Sequence, residues 1–220
     1  MGAPGVGKGT QAQRLMELWT IPQISTGDLI RDNIRQGTAI GRRFKELVDA
    51  GIYVPDDVVN DMVADRTAQP DCQRGFILDG YPRTLGQAEW LDGFLAGWAS
   101  TEAQAPKLPL VAVSVQVGYD ELLRRVTGRR VGPVSKRIYN IYTNPPVSPG
   151  VCDVDGEPLV QRPDDTEEVF AERMRVFGEQ TAPVIEHYRD LGRFEEVDGE
   201  QAVEAVTEQI AATLRRLRNR

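Results

Sequence analysis

The sequence predicts an α/β protein whose parallel sheet carries helices on both faces. Three observations predict it. A glycine-rich run at 2–10 turns straight into a helical pattern. Short apolar strands at 75–80, 111–117 and 194–197 are separated by helical patterns rather than hairpin turns. A Pro- and Gly-rich stretch at 130–163 interrupts this alternation as a small inserted subdomain with β-like pieces at 137–142 and 159–161.

The elements follow in chain order. The first helix runs on to Trp19, and 22–24 reads as a short strand. Residues 26–36 and 41–50 read as short helices separated by Gly37. Residues 55–68 form a further helix, with Pro at its start and acidic residues in its first turn. The apolar run at 75–80 ends in Asp79. Residues 93–109 form a small-residue, Pro-containing linker, expected as a surface elaboration. Asp164 is expected to open a long helix, with Glu167 three residues on as a capping-box variant. Val203, Val206, Ile210, Leu214 and Leu217 place one apolar stripe on the last helix. There is no internal repeat.

Bulk properties bound the function. A chain of 220 residues accommodates one α/β domain with a small insertion. The net charge of -7 and the pI of about 4.9 disfavour wrapping of duplex nucleic acid, while local basic clusters remain able to bind small anions. Cys72 and Cys152 suggest no disulfide framework, which favours a reducing compartment. No apolar run is long enough to span a bilayer, and no leader pattern precedes the first motif. A cytoplasmic enzyme without a membrane or nucleic-acid partner is expected.

The run GAPGVGK at 2–8 fits G-x-x-x-x-G-K. Glycines let backbone N–H groups turn inward around phosphate oxygens, and the following helix points its positive end at them. Lys8 then reaches the outer phosphates as a point charge. Gly9 stands where the general motif has Ser or Thr, and the hydroxyl comes one residue later at Thr10. Asp79 sits where a carboxylate would meet Mg²⁺ through water, with Arg83 extending from the turn after it. Taken alone, this stretch reads equally as a strand-end turn with a satisfied Asp. Arg31, Arg83, Arg129, Arg162 and Arg173 form a set suited to phosphoryl transfer, since Arg binds phosphate oxygens bidentately and stays charged. Any one of them alone would read as solvated surface. Arg14, Arg42, Arg43, Arg66 and Arg74 are assigned to the surface. So are Arg215, Arg216, Arg218 and Arg220, and His187, the single histidine.

Together the motifs GAPGVGKGTQA, QISTGDLIR, GFILDGYPRT followed by Gln87, GRRV, NPP and the VDG at 197–199 resemble the long, bacterial-type adenylate kinases over essentially the whole chain. The resemblance implies the P-loop nucleoside-monophosphate-kinase fold as a single domain over 1–220. It also implies transfer of the terminal phosphoryl group of Mg-ATP to AMP, giving two ADP, by a monomer. Within the domain, 25–54 would be an AMP-binding flap and 128–165 a lid hinged near Gly128 and Asp165. Gly5, Val6, Gly7, Lys8, Gly9 and Thr10 would bind the ATP phosphates. Arg125 and Arg129 would contact ATP, with Ile138 and Tyr139 near its base. Thr26, Arg31, Ile52, Tyr53, Val54, Gly80, Tyr81, Pro82, Arg83 and Gln87 would bind AMP, Gln87 reading the adenine edge. Arg162 and Arg173 would converge on the transferring phosphate, with Lys8, Arg83 and Arg129 completing the catalytic set, and Asp79 would hold magnesium through water.

Four departures from the family pattern stand out. Some relatives hold a lid zinc with four cysteines. Gly132, Ser135, Cys152 and Asp155 stand at those positions here, a poor tetrahedral set, so a metal-free lid is expected. Gln201 stands where relatives often have Lys near the ATP base. The 93–109 stretch is longer than in common relatives. The family's first apolar strand, ahead of the glycine loop, is reduced to Met1. A missing central strand could remove stability comparable to the net value for a whole domain, about 5–15 kcal/mol, so a marginal or aggregation-prone chain is expected. Two alternatives remain at this stage: a UMP/CMP-type kinase, whose lid is typically short, and a nucleotide sensor that binds without transfer.

Overall fold

The computed structural model describes residues 1–101 and 110–218. In chain order the elements are α1 (Lys8–Trp19), β1 (Gln23–Ser25), α2 (Thr26–Gln36), α3 (Ala39–Asp49), α4 (Asp56–Thr67), β2 (Ile77–Asp79), α5 (Leu85–Thr101), β3 (Ala112–Gln116), α6 (Tyr119–Thr127), β4 (Arg129–Val131), β5 (Ile138–Asn140), α7 (Glu167–Val176), α8 (Ala182–Asp190), β6 (Phe194–Asp198) and α9 (Val203–Arg218).

The strands β1–β2 and β3–β6 pair in parallel, and β4–β5 pair antiparallel within the insertion. Strand alternation explains how helices cover both faces. In β3, Ala112 and Val115 differ by three positions and therefore point to opposite faces; in β6, Phe194 and Val197 do the same. Val115 and Val197 enter a core with Val6 and Leu15 near and on α1, Leu122 on α6, Phe170 on α7 and Ile210 on α9. Ala112 and Phe194 enter another with Ala88 on α5 and Val184 and Tyr188 on α8. A third core under α3, α4 and α5 gathers Phe44, Val59, Val63, Tyr81 and Leu91.

Among the described residues no ladder joins the β1–β2 pair to the β3–β6 pair. The expected gap is therefore present, and one residue partly fills it. The Met1 amine donates to the Val113 carbonyl, and the Met1 carbonyl accepts from Val115 N–H at 3.1 Å. The β3 edge is thus partly paired rather than fully open.

Five expectations need correction. Residues 93–101 are not linker but the second half of α5, where Phe94 and Leu95 pack on the third core and Phe94 stacks on Trp90 at 4.9 Å; the rest of that stretch, 102–109, lies outside the described residues. Gly93 and Gly97 masked the helical period. The cap after the insertion is Thr166, whose hydroxyl accepts from Val169 N–H at 3.3 Å, because Asp164 is held by an arginine instead. The long helix is interrupted by a five-residue π turn at Phe177–Thr181. Val203 is exposed at the start of α9, and the buried stripe there includes Ala211 and Thr213. His187 is not a free surface residue, for its Nε2 lies 2.7 Å from Asp92 Oδ2 and ties α8 to α5.

The buried Met1 amine yields a prediction. Desolvation, reinforced by Lys8, lowers its pKa to about 5 against the opposing pull of Asp79. Between pH 5 and 8 the unfolded chain then binds the extra proton, so this group makes stability rise with pH across that window. A short Val/Ile/Leu run added ahead of Met1 should remove the buried amine and offer backbone partners to β2 and β3. The extended chain should melt several degrees higher and lose that part of the pH slope. Equal melting curves for the two chains at pH 5 and pH 8 would show that neither the gap nor the amine matters.

Candidate active site

The loop 2–7 delivers the chain into α1. Gly7 caps the helix in the left-handed region, at φ 96°, which an L side chain rarely adopts. No side chain caps α1, so its first-turn N–H groups remain open to an anion. They face a cleft of about 900 Å³, which Gly5, Val6, Gly7, Lys8, Gly9 and Thr10 all line. The Val6 side chain is buried in the core, so it can contribute only backbone. A Cβ at Gly9 would lie 3.2 Å from Ile138 Cδ1 and 3.5 Å from Asp79 Oδ2. The side chain that the general motif places there would crowd both.

The opposite wall comes from the insertion and the ends of β2 and β6. Ile138 lies over α1, whereas Tyr139 turns into the insertion's interior, where its hydroxyl accepts from Asp153 N–H at 2.8 Å and lies 3.5 Å from Cys152 Sγ. Only the Tyr139 backbone can serve a ligand in the cleft. Arg125 is anchored on Glu121 at 2.8 Å and on the Gly199 carbonyl at 3.2 Å. Gln201 lines the cleft, exposed, with its amide on Asp198 at 3.1 Å. Asp79, at the end of β2, accepts from Gln23 Nε2 at 2.8 Å.

A second, smaller cavity of about 50 Å³ opens under α2 and the turn before α4. Thr26, Arg31, Ile52, Tyr53, Val54, Gly80, Arg83, Gln87 and Arg173 line it. The Thr26 hydroxyl donates to the Gly80 carbonyl at 3.0 Å. Tyr81 and Pro82 line the larger cleft instead, and the buried Tyr81 hydroxyl donates to Asn60 Oδ1 at 2.6 Å. The Arg83 guanidinium lies 4.9 Å over the Tyr53 ring, and its Nε donates to the Gly80 carbonyl at 2.6 Å. Arg31, Arg83 and Arg173 line both cavities.

Lys8 and the five arginines crowd one region, and the electrostatics show the strain. Desolvation lowers Lys8 to about 8; Asp79 opposes this, while Arg83, Arg129 and Arg173 add to it. Lys8 meanwhile donates to the Gly2 and Ala3 carbonyls at 2.8 and 2.9 Å. Desolvation likewise lowers Arg162 to about 10, helped by Arg31 and Arg129. Burial pushes Arg173 down against the pull of Asp164. For Arg129 burial acts downward, but the hydrogen bonds to Asp165 together with the charges of Asp165, Asp164 and Asp28 outweigh it, and the net shift is upward. For Asp28 burial acts upward, and Arg31 and Arg162 together outweigh it.

Four aspartates hold this cationic set, and sequence reading had singled out only Asp79 for a role at the site. Asp165 is fully buried against Arg129, Asp164 pairs with Arg173, and Asp28 bridges Arg31 at 2.6 Å and Arg162 at 3.3 Å. The signal was available, because each lies within a few residues of an assigned arginine. The insertion also lies down on α2 and α1: Lys136 reaches Asp32 at 3.3 Å, and Gln13 donates to the Lys136 carbonyl at 3.3 Å. Such an arrangement can hold two polyanions end to end and shield the groups between them.

Removing one member of the buried pair should be costly. Asp165→Asn leaves Arg129 without its countercharge, and urea unfolding at neutral pH should show a loss of about 3 kcal/mol. A loss within the surface-pair range, below about 1 kcal/mol, would mean that water reaches Arg129 freely.

Comparison with known proteins agrees with this geometry. The family model described as adenylate kinase matches residues 1–193. The chain is 44% identical to the adenylate kinase of Moorella thermoacetica, over 98% of this chain and 96% of that protein. It is 42% identical to that of Methanocella arvoryzae, over 98% and 97% of the two chains, and 42% identical to that of Archaeoglobus fulgidus, over 100% and 98%. The glycine loop, the cationic cleft and these matches have one conclusion: the chain belongs to the adenylate kinase family.

Proposed function

We propose that the larger cleft takes Mg-ATP and the smaller cavity AMP, and that the phosphoryl group passes between them where the cations meet. The activity is the family's, reversible transfer from ATP to AMP giving two ADP. The observation that carries the site reading is the sharing of Arg31, Arg83 and Arg173 by both cavities. A cation common to two nucleotide sites stands where a phosphoryl group must cross.

In this reading an oxygen of the AMP phosphate attacks the terminal phosphorus of ATP, and the bond from that phosphorus to the bridging oxygen of ADP breaks. No general base is required, since the attacking phosphate is already deprotonated near neutral pH. Catalysis is then positioning and charge stabilisation. Lys8 and the α1 N–H groups orient the ATP phosphates. Arg129, Arg162 and Arg173 surround the moving group, and Arg83 and Arg31 hold the AMP phosphate. Magnesium, when bound, offsets phosphate charge. Asp79 suits it through water, as one carboxylate beside Gly9, because Mg²⁺ keeps several waters and takes few protein ligands. Residues 25–54 act as the AMP flap. Residues 128–165 act as a lid that excludes water, so that ATP is not hydrolysed in place of transfer.

The lid is proposed to need no zinc. The Ser135 hydroxyl lies 3.2 Å from Cys152 Sγ, and Ser135 N–H donates to Asp155 Oδ2 at 2.8 Å. These bonds link three of the four positions that cysteines occupy in other lids, and Gly132 offers no ligand. Metal analysis should find no stoichiometric zinc, and chelation should leave the melting temperature unchanged; one tightly held zinc per chain would refute this.

A coupled ADP assay with AMP, UMP and CMP in turn tests the acceptor, and AMP should be preferred by orders of magnitude. Lys8→Met should lower kcat by orders of magnitude while thermal melting persists; near-normal turnover would remove Lys8 from the mechanism. Arg83→Lys keeps the charge and loses the fork, so it should impair AMP use far more than Arg42→Lys on the exposed side of α3. Equal effects would undo the division between site and surface arginines.

A further inference from the structure

We infer that Asp56 is a specificity-determining positioning residue: it locks the Gln87 side-chain amide in one orientation, and that orientation selects a 6-amino purine over a 6-oxo purine. The inference rests on the proposed reading that Gln87 faces the acceptor's base.

Gln87 is almost fully buried at 2% exposure and lines the smaller cavity. Its Nε2 donates to Asp56 Oδ1 at 2.7 Å, and its Oε1 accepts from Arg83 N–H at 2.8 Å. A side-chain amide has two N–H donors and two oxygen lone pairs. After these two bonds, one donor and one acceptor remain. Those two match the adenine edge, where N1 accepts and the 6-amino group donates.

Turning the amide over would reverse both inner contacts. The oxygen would then meet a carboxylate, which accepts and does not donate, and the NH₂ group would meet a backbone N–H. A buried amide cannot leave both unmade without a large loss. Asp56 itself has no freedom to turn away. Its Oδ2 accepts from the Thr84 hydroxyl at 2.6 Å, and that hydroxyl accepts from Gln87 N–H at 3.1 Å. The Tyr81 hydroxyl lies 3.4 Å from the Gln87 carbonyl and steadies the same turn. Asp56 opens α4 directly after Pro55, so its backbone is set by the helix start.

A 6-oxo purine such as that of IMP presents N1–H and O6, the reverse pattern. Against the locked amide it meets donor with donor and acceptor with acceptor. It could be accommodated only by the turned-over amide, which Asp56 and the Arg83 N–H together oppose. Asn at position 56 can donate or accept toward Gln87 by turning its own amide, so it relaxes the lock without changing size. Ala removes the contact entirely.

The test measures kcat/KM for AMP and for IMP with ATP in the intact chain and in Asp56→Asn, Asp56→Ala and Gln87→Ala, alongside melting temperatures and the KM for ATP. Both Asp56 variants should lower the AMP-over-IMP preference by about tenfold, the worth of one charge-assisted hydrogen bond. The change should lie in KM for the acceptor, with the KM for ATP unmoved. Gln87→Ala should abolish most of the preference. A purely structural role for Asp56 would lower melting temperature or overall turnover and leave the AMP-to-IMP ratio in place, which overturns the lock while the base reading by Gln87 stands. If Gln87→Ala also keeps the ratio, Gln87 does not read the base, and the lock falls with it.

Discussion

The constraint on which this structure depends is the confinement of Lys8, Arg31, Arg83, Arg129, Arg162 and Arg173 in one partly buried cleft. Desolvation, reinforced by neighbouring arginines, holds Lys8 and Arg162 well below their ordinary pKa values. Such a cluster holds only if carboxylates supply countercharge. Asp28, Asp79, Asp164 and Asp165 do so from four separate places: α2, the end of β2, and two successive positions at the foot of the insertion. The aspartates differ in depth. Asp165 is wholly buried and can act as a fixed anchor for Arg129, whereas the Asp28 side chain is 42% exposed and can be replaced by a ligand oxygen.

The fold brings these places together. The parallel strands β1 and β2 end at Ser25 and Asp79 side by side in register. From that pair the chain enters α2 on one side and the turn carrying Arg83 on the other. Thr26 to the Gly80 carbonyl and Thr181 to the Arg83 carbonyl, at 3.0 and 2.8 Å, join the two exits and the π turn behind them. The π turn adds one residue per helical turn where the long helix passes the site, a distortion often found at functional positions. It places Thr181 against both Arg83 and the Tyr53 hydroxyl, 3.2 Å away.

Much of this was legible in the sequence, for identifiable physical reasons. The glycine loop is legible as a tight turn, because Gly2, Gly5 and Gly7 all take positive φ, which other residues rarely adopt. Asp79 and Arg83 stand out only together with the other motifs, since alone the end of that strand reads equally as a turn with a satisfied Asp. The countercharges were less so. Asp164 reads as a helix-start acid and Asp165 as a hinge position, and only the folded chain sets them and Asp28 against Arg31, Arg162, Arg173 and Arg129. Asp56 has the same history: at position 56 it resembles a first-turn acid complementing the helix dipole, and its contact with Gln87 spans 31 residues. The helix at 93–101 was misread because glycine lowers helix propensity, while burial of Phe94 and Leu95 against the core outweighs that local cost.

The difference between anchored and exchangeable aspartates bears on the proposed role of the insertion as a lid. Arg162 is carried by the insertion and Asp28 by α2, so their 3.3 Å contact joins these two parts of the chain across the cleft. Lys136 and Asp32 form a second such tie at 3.3 Å, with side chains 44% and 38% exposed. Both ties are partly open to solvent, and pairs of that kind contribute little, typically below about 1 kcal/mol. They can bias closure but cannot enforce it. A phosphate placed between Arg31 and Arg162 would take over the bonds that Asp28 makes, with more charge and more acceptor oxygens than one carboxylate has. Closure would then be favoured by the ligand's differential affinity for the closed state, as any ligand-driven shift requires. The Arg129–Asp165 pair lies at the base of the same segment and is closed to water on the Asp side, so under the proposed closure it is the contact least open to exchange with a ligand.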